Sequence, residues 1–189
     1  MKLLLLYATT QGQTRKIMRH IADRLVAQGH SVELVPADQA ADQAGALEPS
    51  RFDAAILAGS IHAGQYQTEL LQAAHALSPA LNRLPGLFLT VSLTAAGDDP
   101  AEQAELDRLA RGFLNDTGWQ TPQIAQVAGA LRFSAYGFFE YWAMLWISRQ
   151  KNRTLTGKED IEFTDWPALD TLTDGFITRA TGAGQADQG

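Results

Sequence analysis

The chain has 189 residues, of which 46% are hydrophobic, and its 15 Lys and Arg against 21 Asp and Glu give a net charge of −6. Such a chain can bury a core, and its acidic balance argues against a general nucleic-acid binder, which needs a basic face for the phosphates. Because the sequence has no cysteine, disulfides, thiolate metal sites and iron–sulfur clusters are excluded, and redox chemistry would need a bound cofactor.

Short apolar runs alternate with helical patterns along the whole chain. The runs predict strands at 3–8, 30–35, 52–59, 84–91 and 123–128, and the intervening patterns predict helices at 14–28, 66–82, 100–117 and from about 166 onward, with a surface connection at 36–50. This alternation predicts an α/β fold, a doubly wound five-stranded parallel sheet with helices on both faces. We expect a single domain over 1–181 and a disordered tail at 182–189.

The loops that follow the strands are the places to look for a ligand, because ligands of such sheets bind beyond the carboxyl ends of the strands. The first loop, Thr9-Thr10-Gln11-Gly12-Gln13-Thr14, has three hydroxyls and a glycine but no Lys or Arg. Since a helix N-terminus favours anions, the loop predicts a site for a phosphomonoester held by neutral donors. It lacks the fingerprints of nucleoside triphosphate and dinucleotide sites. The alternative is that one of its threonines only caps the helix.

Two further loops, 59–66 and 92–97, are again small, polar and uncharged. Their glycines let the backbone approach a ligand, and Tyr66 is available to stack on one. Three such loops in this order resemble the flavodoxin family, and the resemblance implies FMN, with the phosphate at the first loop and the isoalloxazine ring between the other two. The FMN-binding residues expected are Thr9, Thr10, Gln11, Gly12, Gln13, Thr14, Ser60, Ile61, His62, Gly64, Tyr66, Ser92, Leu93, Thr94 and Ala95.

His62 is also a weak catalytic candidate. It is either a hydrogen-bond donor near the flavin or substrate, since its ordinary pKa is near neutrality, or a loop histidine that faces water. No histidines and carboxylates have the spacing of metal ligands, so no metal site is expected.

An aromatic segment follows the fifth predicted strand, within an insertion at about 130–158. Seven of the 16 Phe, Tyr and Trp residues fall between 133 and 146, and Arg149, Lys151 and Arg153 follow. The segment could pack in the core, form a dimer face, or lie in a membrane interface. It is too short to span a bilayer, and no signal-peptide pattern precedes the first strand, so a cytoplasmic location is expected.

A closer resemblance rests on Gly129-Ala130-Leu131-Arg132-Phe133, the aromatic segment and Phe163-Thr164-Asp165-Trp166. Together with Gly12-Gln13-Thr14 and Gly59-Ser60-Ile61, they resemble the menaquinone-dependent protoporphyrinogen oxidase family over residues 1 to about 180. The resemblance implies FMN-dependent oxidation of protoporphyrinogen IX in haem biosynthesis, with electrons passed to menaquinone at the cytoplasmic face of the inner membrane. The expected substrate or membrane contacts are Arg132, Phe138, Trp142, Trp146, Arg149, Lys151 and Arg153.

Other functions stay open at this point. A flavodoxin-type electron carrier would suit the acidic charge but gives no reason for the aromatic segment. An NAD(P)H:quinone reductase of the same fold, or a module that has lost FMN, would leave the same loops. The oligomeric state is also open, with a homo-oligomer as one possibility.

Overall fold

The computed structural model describes residues 1–42, 51–121, 123–131 and 161–186. The strands are β1 (Lys2–Tyr7), β2 (Ser31–Pro36), β3 (Ala54–Ser60), β4 (Gly86–Ser92), β5 (Gln123–Ala128), β6 (Ala130–Leu131) and β7 (Ile161–Glu162). The helices are α1 (Gln13–Ala27), α2 (Ala37–Asp42), α3 (Thr68–Leu81), α4 (Pro100–Thr117) and α5 (Trp166–Ala186). A short 3₁₀ helix, Thr94–Ala96, follows β4.

The main sheet has five parallel strands in the order β2-β1-β3-β4-β5. This confirms the α/β fold predicted from the alternation of strands and helices. The chain leaves β1 toward one edge of the sheet and later returns to its other side at β3, so the loops after these two strands diverge. A crevice opens where neighbouring connections diverge, and it is the usual ligand position in such sheets.

The apolar side chains of β1 pack in two hydrophobic cores, one on each face of the sheet. Leu3 and Leu5 pack with buried residues of α1 and α5, whereas Leu4 and Leu6 pack with buried residues of α2, α3 and α4. Both sets follow from the period of two in a strand. A strand buried on both faces must be apolar throughout, which is why its sequence does not alternate.

Two helices begin where the sequence predicts, because acidic caps precede a proline. Asp99 Oδ1 accepts a hydrogen bond of 2.8 Å from the backbone N–H of Ala101 at the start of α4. Asp165 Oδ1 likewise accepts one of 3.0 Å from Ala168 N–H at the start of α5. The end of α5 differs from the prediction, because the helix continues to Ala186 and so includes the first part of the predicted tail.

A two-stranded antiparallel ribbon, formed by β6 and β7, was not predicted. It pairs Ala130 with Glu162 and Leu131 with Ile161. Of the predicted insertion, the aromatic segment and its basic residues lie outside the described residues. The ribbon makes neighbours of Leu131 and Ile161, the described residues that flank the part of the chain outside the description.

Candidate functional site

A cavity of about 360 Å³ lies at the carboxyl edge of the sheet, within the size range of small-ligand sites. It is lined by Thr9, Thr10, Gln11, Gln13, Thr14, Ser60, Ile61, His62, Ala63, Gly64, Val91, Ser92, Leu93, Thr94, Gly129 and Ala130. The loops after β1, β3 and β4 therefore converge, as the sequence predicts. No Asp, Glu, Lys or Arg of the described ranges lines the cavity.

Three of the predicted FMN-binding residues are not among those lining the cavity. Gly12 lies behind it as the N-cap of α1. Ala95 is the middle residue of the 3₁₀ helix, and its backbone N–H donates to Ser92 Oγ over 3.1 Å. Tyr66 is partly buried and packs against the core on one face of the sheet.

The ring of Tyr66 packs against Phe88 and Phe113, with centroid distances of 5.4 and 5.1 Å. Burial raises the pKa of the Tyr66 phenol above its ordinary value. Tyr66 is therefore not among the residues that line the cavity, its ring packs against the core, and its stacking on a ligand stays a prediction.

The N-terminus of α1 faces the cavity without a side-chain cap. Gly12 has a φ of +89°, a left-handed conformation that favours glycine. Its N–H donates to Thr9 Oγ1 over 2.9 Å, so Thr9 stabilises the loop and does not cap the helix. The first N–H groups of a helix have no partner within it, and here they remain available to an anion together with the positive end of the helix dipole.

Thr14 gives a direct test of whether these residues fit a phosphate. Its side chain is 1% exposed, and Oγ1 has no hydrogen-bond partner among the described residues. Buried hydroxyls are nearly always hydrogen-bonded, so an orphan next to free helix N–H groups indicates a missing acceptor. The loop fits the phosphate of FMN, with Thr14 as a donor.

Gln13 was predicted as an FMN ligand, but its side-chain amide binds the protein. Nε2 donates to Glu162 Oε1 over 2.7 Å and to Thr164 Oγ1 over 3.0 Å, and Thr164 Oγ1 donates to Ala128 O over 2.7 Å. Lys16 Nζ lies 2.8 Å from the same Glu162 carboxylate. These contacts attach the ribbon to α1 beside the cavity, so Gln13 keeps its backbone N–H and Oε1 for a ligand.

The environment of Glu162 fixes its charge. Partial burial raises the pKa of this carboxyl, but hydrogen bonds from Lys16 and Gln13 outweigh that effect and hold the pKa below its ordinary value. The carboxylate in turn pairs with Lys16, and Arg15, the first cation after the phosphate loop, is exposed and does not line the cavity. The anion-binding end of the cavity therefore relies on neutral donors.

His62 lines the cavity at the start of a tight turn. Its backbone N–H donates to Gln65 O over 2.8 Å, and Gln65 N–H donates back over 3.0 Å. Between them, Ala63 and Gly64 have φ values of +48° and +76°, the sign that a type I′ turn requires at both central positions. The turn holds the His62 backbone against the cavity, and a catalytic role for its ring stays a prediction.

Sequence reasoning missed Gln67, which joins two of the loops. Its Nε2 donates to Thr10 Oγ1 over 3.0 Å and to Ser60 Oγ over 2.6 Å. A single glutamine at the start of a helix carries no sequence signal for such a role. Thr164 did carry a sequence signal, because it lies in the motif Phe163-Thr164-Asp165-Trp166, on which the resemblance to the protoporphyrinogen oxidase family partly rests.

The predicted substrate or membrane residues from Arg132 to Arg153 lie outside the described residues, so their contacts stay predictions. Within the ranges that the structure describes, no helix is both long and apolar enough to cross a membrane.

Comparisons with known proteins agree with this geometry. A model of the flavodoxin domain family matches residues 4–155. The chain is 25% identical over 166 residues to protoporphyrinogen IX dehydrogenase (quinone) of Escherichia coli strain K12, covering 88% of this chain and 89% of that protein. A Leishmania major protein of the same name is 28% identical over 175 residues, covering 93% and 74%. Among solved structures, a short-chain flavodoxin associated with a bacterial microcompartment has a TM-score of 0.54 at 13% identity, covering 95% and 98%.

These findings confirm the flavodoxin-like fold, and with the fit of the phosphate loop they confirm the predicted FMN cofactor. They also confirm the predicted oxidoreductase class, since the curated relatives are dehydrogenases. The chain belongs to the flavodoxin domain family.

Proposed function

We propose that this protein oxidises protoporphyrinogen IX to protoporphyrin IX in haem biosynthesis, with FMN as cofactor and a membrane quinone, menaquinone, as electron acceptor. The observation that carries the proposal is the alignment with relatives named protoporphyrinogen IX dehydrogenase (quinone) over most of both chains. The aromatic segment supports it, because a simple electron carrier has no use for such a segment.

FMN bound in the cavity would accept electron pairs from the substrate and release them to the quinone. The protein's part is to bind and orient. The free N–H groups of α1 and the hydroxyl of Thr14 bind the phosphate, and the loops starting at Ser60 and Ser92 form the walls on either side of the ring. His62 is the only titratable side chain among the described lining residues, so positioning contributes more here than acid–base catalysis.

The substrate is an apolar macrocycle with carboxylate side chains, and the described cavity offers those carboxylates no cation. We assign the apolar wall to Phe138, Trp142 and Trp146, and the carboxylate partners to Arg132, Arg149, Lys151 and Arg153. The ribbon supports this assignment, because Ala130 lines the cavity and pairs with Glu162. Leu131 and Ile161, the described residues that flank the segment, are thus paired next to a residue of the cavity wall.

The same segment is our candidate for peripheral contact with the cytoplasmic face of the inner membrane. Trp and Tyr side chains concentrate at membrane interfaces, and Lys and Arg bind anionic head groups. A quinone dissolved in the bilayer would then reach the flavin without leaving the membrane.

An anaerobic assay of the FMN-loaded protein with protoporphyrinogen IX and menaquinone tests the proposal. Porphyrin fluorescence should rise faster than the uncatalysed background. Flavin that is reduced and reoxidised by redox proteins or NAD(P)H, with no porphyrin formed, would instead indicate a carrier or a quinone reductase.

Two variants separate an effect on substrate binding from the effect of losing any surface arginine. Arg132→Ala with Lys151→Ala should raise KM for protoporphyrinogen more than they lower kcat. The matched control is Arg108→Ala, because Arg108 forms a surface ion pair with Glu105 on α4. Equal kinetics for the unchanged protein and the Arg132/Lys151 variant would refute the assignment of those two cations.

Deleting 134–152 should abolish quinone-linked turnover and vesicle binding while FMN reduction by dithionite survives.

A further inference from the structure

Gln67 crosslinks the phosphate loop and the loop after β3 at the cavity. Its amide nitrogen donates to Thr10 Oγ1 at 3.0 Å and to Ser60 Oγ at 2.6 Å. Both hydroxyl residues line the cavity, whereas Gln67 does not. The glutamine therefore reaches a ligand only through these two side chains.

The orientation of the amide is fixed by a third contact. The backbone N–H of Ser60 donates to Gln67 Oε1 at 3.3 Å. An N–H group needs an oxygen acceptor, so Oε1 must face Ser60 N–H, and the two amide protons must face the hydroxyl oxygens. Rotating the amide by half a turn would set Nε2 against the backbone N–H of Ser60, a contact between two donors, and would break that hydrogen bond.

This arrangement sets the direction of both hydroxyl groups. A hydroxyl has one proton to donate and lone pairs that accept. Because Thr10 and Ser60 already accept from Gln67 and their hydroxyls form no other hydrogen bond among the described residues, their protons are left for the ligand. Other cavity hydroxyls are arranged alike, since Thr9 accepts from Gly12 N–H and Ser92 from Ala95 N–H.

We infer that Gln67 is a positioning residue that holds the hydroxyls of Thr10 and Ser60 as hydrogen-bond donors toward FMN. A dianionic phosphate and the carbonyl and ring-nitrogen acceptors of a flavin need donors, and the described cavity supplies them without a cation. The inference depends on the FMN cofactor and is independent of the proposed porphyrinogen substrate.

The sharpest single variant is Gln67→Glu, which keeps the shape but replaces two donors with an acceptor. The hydroxyls of Thr10 and Ser60 would then turn inward to donate to the carboxylate. FMN affinity of the apoprotein, measured by quenching of flavin fluorescence, should fall at least about tenfold, the equivalent of one hydrogen bond.

The matched control is Gln65→Glu, which adds the same charge to the same loop on an exposed residue that does not line the cavity. Riboflavin provides a second control, because it has no phosphate for the new charge to repel. Gln67→Glu should weaken riboflavin binding as well, whereas Gln65→Glu should change the affinity for either flavin less than about twofold.

A double-mutant cycle separates positioning from a merely structural role. Gln67→Leu should weaken FMN binding severalfold in the unchanged protein. In a background carrying Thr10→Val and Ser60→Ala, the same substitution should have almost no further effect, because Gln67 has no hydroxyl left to orient. Urea unfolding of each apoprotein reports any change in stability separately.

The inference is overturned if Gln67→Leu weakens FMN binding equally in both backgrounds, if Gln67→Glu matches Gln65→Glu, or if the unchanged protein binds no FMN. A protein that binds FMN with the expected cycle but forms no porphyrin would refute only the proposed function.

Discussion

Replacing Thr14 by Val is expected to have opposite effects on the free and the FMN-bound protein. The substitution removes a hydroxyl that is buried and unpaired among the described residues, and keeps the branched shape of the side chain. In the apoprotein this hydroxyl destabilises the folded state, because it has lost its hydration without gaining a hydrogen-bond partner. In the FMN complex it becomes a donor to the phosphate.

The magnitudes follow from these two roles. An unsatisfied buried polar group costs about 1–3 kcal/mol, so we expect Thr14→Val to stabilise the apoprotein by roughly 1 kcal/mol. For a chain of this length, that raises Tm by about 2–4 °C. A hydrogen bond to a charged group contributes about 1.5–3 kcal/mol, so the variant should bind FMN roughly 10- to 150-fold more weakly.

Thermal unfolding with and without saturating FMN, together with fluorescence titration, measures both effects. Thr117→Val is the control, because Thr117 is equally buried but its hydroxyl donates to Phe113 O at 2.8 Å. That variant should lose about 1 kcal/mol of stability and keep its FMN affinity. If Thr14→Val behaves like Thr117→Val in both measurements, the hydroxyl of Thr14 is not a phosphate ligand and the reasoning fails.

Two other predictions concern the scaffold. Gly59→Ala should lower the free energy of unfolding in urea by about 1–3 kcal/mol, because its Cβ would lie 2.5 Å from Leu70 Cδ2. The control is Gly112→Ala in α4, whose Cβ would meet no atom within 4 Å and which should raise the free energy of unfolding by roughly 0.5–1 kcal/mol. Equal effects of the two substitutions would contradict the packing argument. Hydrogen bonding to Arg24 lowers the pKa of Asp174 from 3.8 to about 2, so the stabilisation from this pair is present above pH 3.8 and is lost as the pH falls toward 2. Asp174→Asn should therefore show a smaller loss of Tm on acidification, and an unchanged pH dependence would rule out this pair as its source.

The fold and the phosphate loop were predictable because their signals are local. A strand buried on both faces, such as β1, needs a continuous apolar run, and a helix that starts at a bound anion needs small, polar residues just before it. Each of these requirements concerns residues that are adjacent in the sequence. The strand order β2-β1-β3-β4-β5 was not predicted, because right-handed connections alone are compatible with more than one order.

The direction of a side chain depends on tertiary packing and was not predictable. Tyr66 lies in a ligand-binding loop, yet its ring points into the core because Gly59 has no Cβ to block it, with Tyr66 Cδ1 only 3.0 Å from the Cβ position. Gln67 is one residue further along the chain and turns toward the cavity loops. A sequence pattern places both residues near the site but does not say which of them serves it.

The absence of cations from the described cavity bears on the proposed substrate. The phosphate of FMN needs no lysine or arginine, because helix N–H groups and hydroxyl donors suffice and Lys16 is held by Glu162. The rest of the described lining has hydroxyl, amide and imidazole side chains but no Lys or Arg, so it offers the carboxylates of a substrate no permanent positive charge. On the proposed function, the charge of those carboxylates is met by the basic residues that follow the ribbon strand β6 in the sequence, beginning with Arg132. On the same proposal, the net charge of −6 is an average over two sites, a flavin site with neutral donors and a substrate site with the cations between 132 and 153.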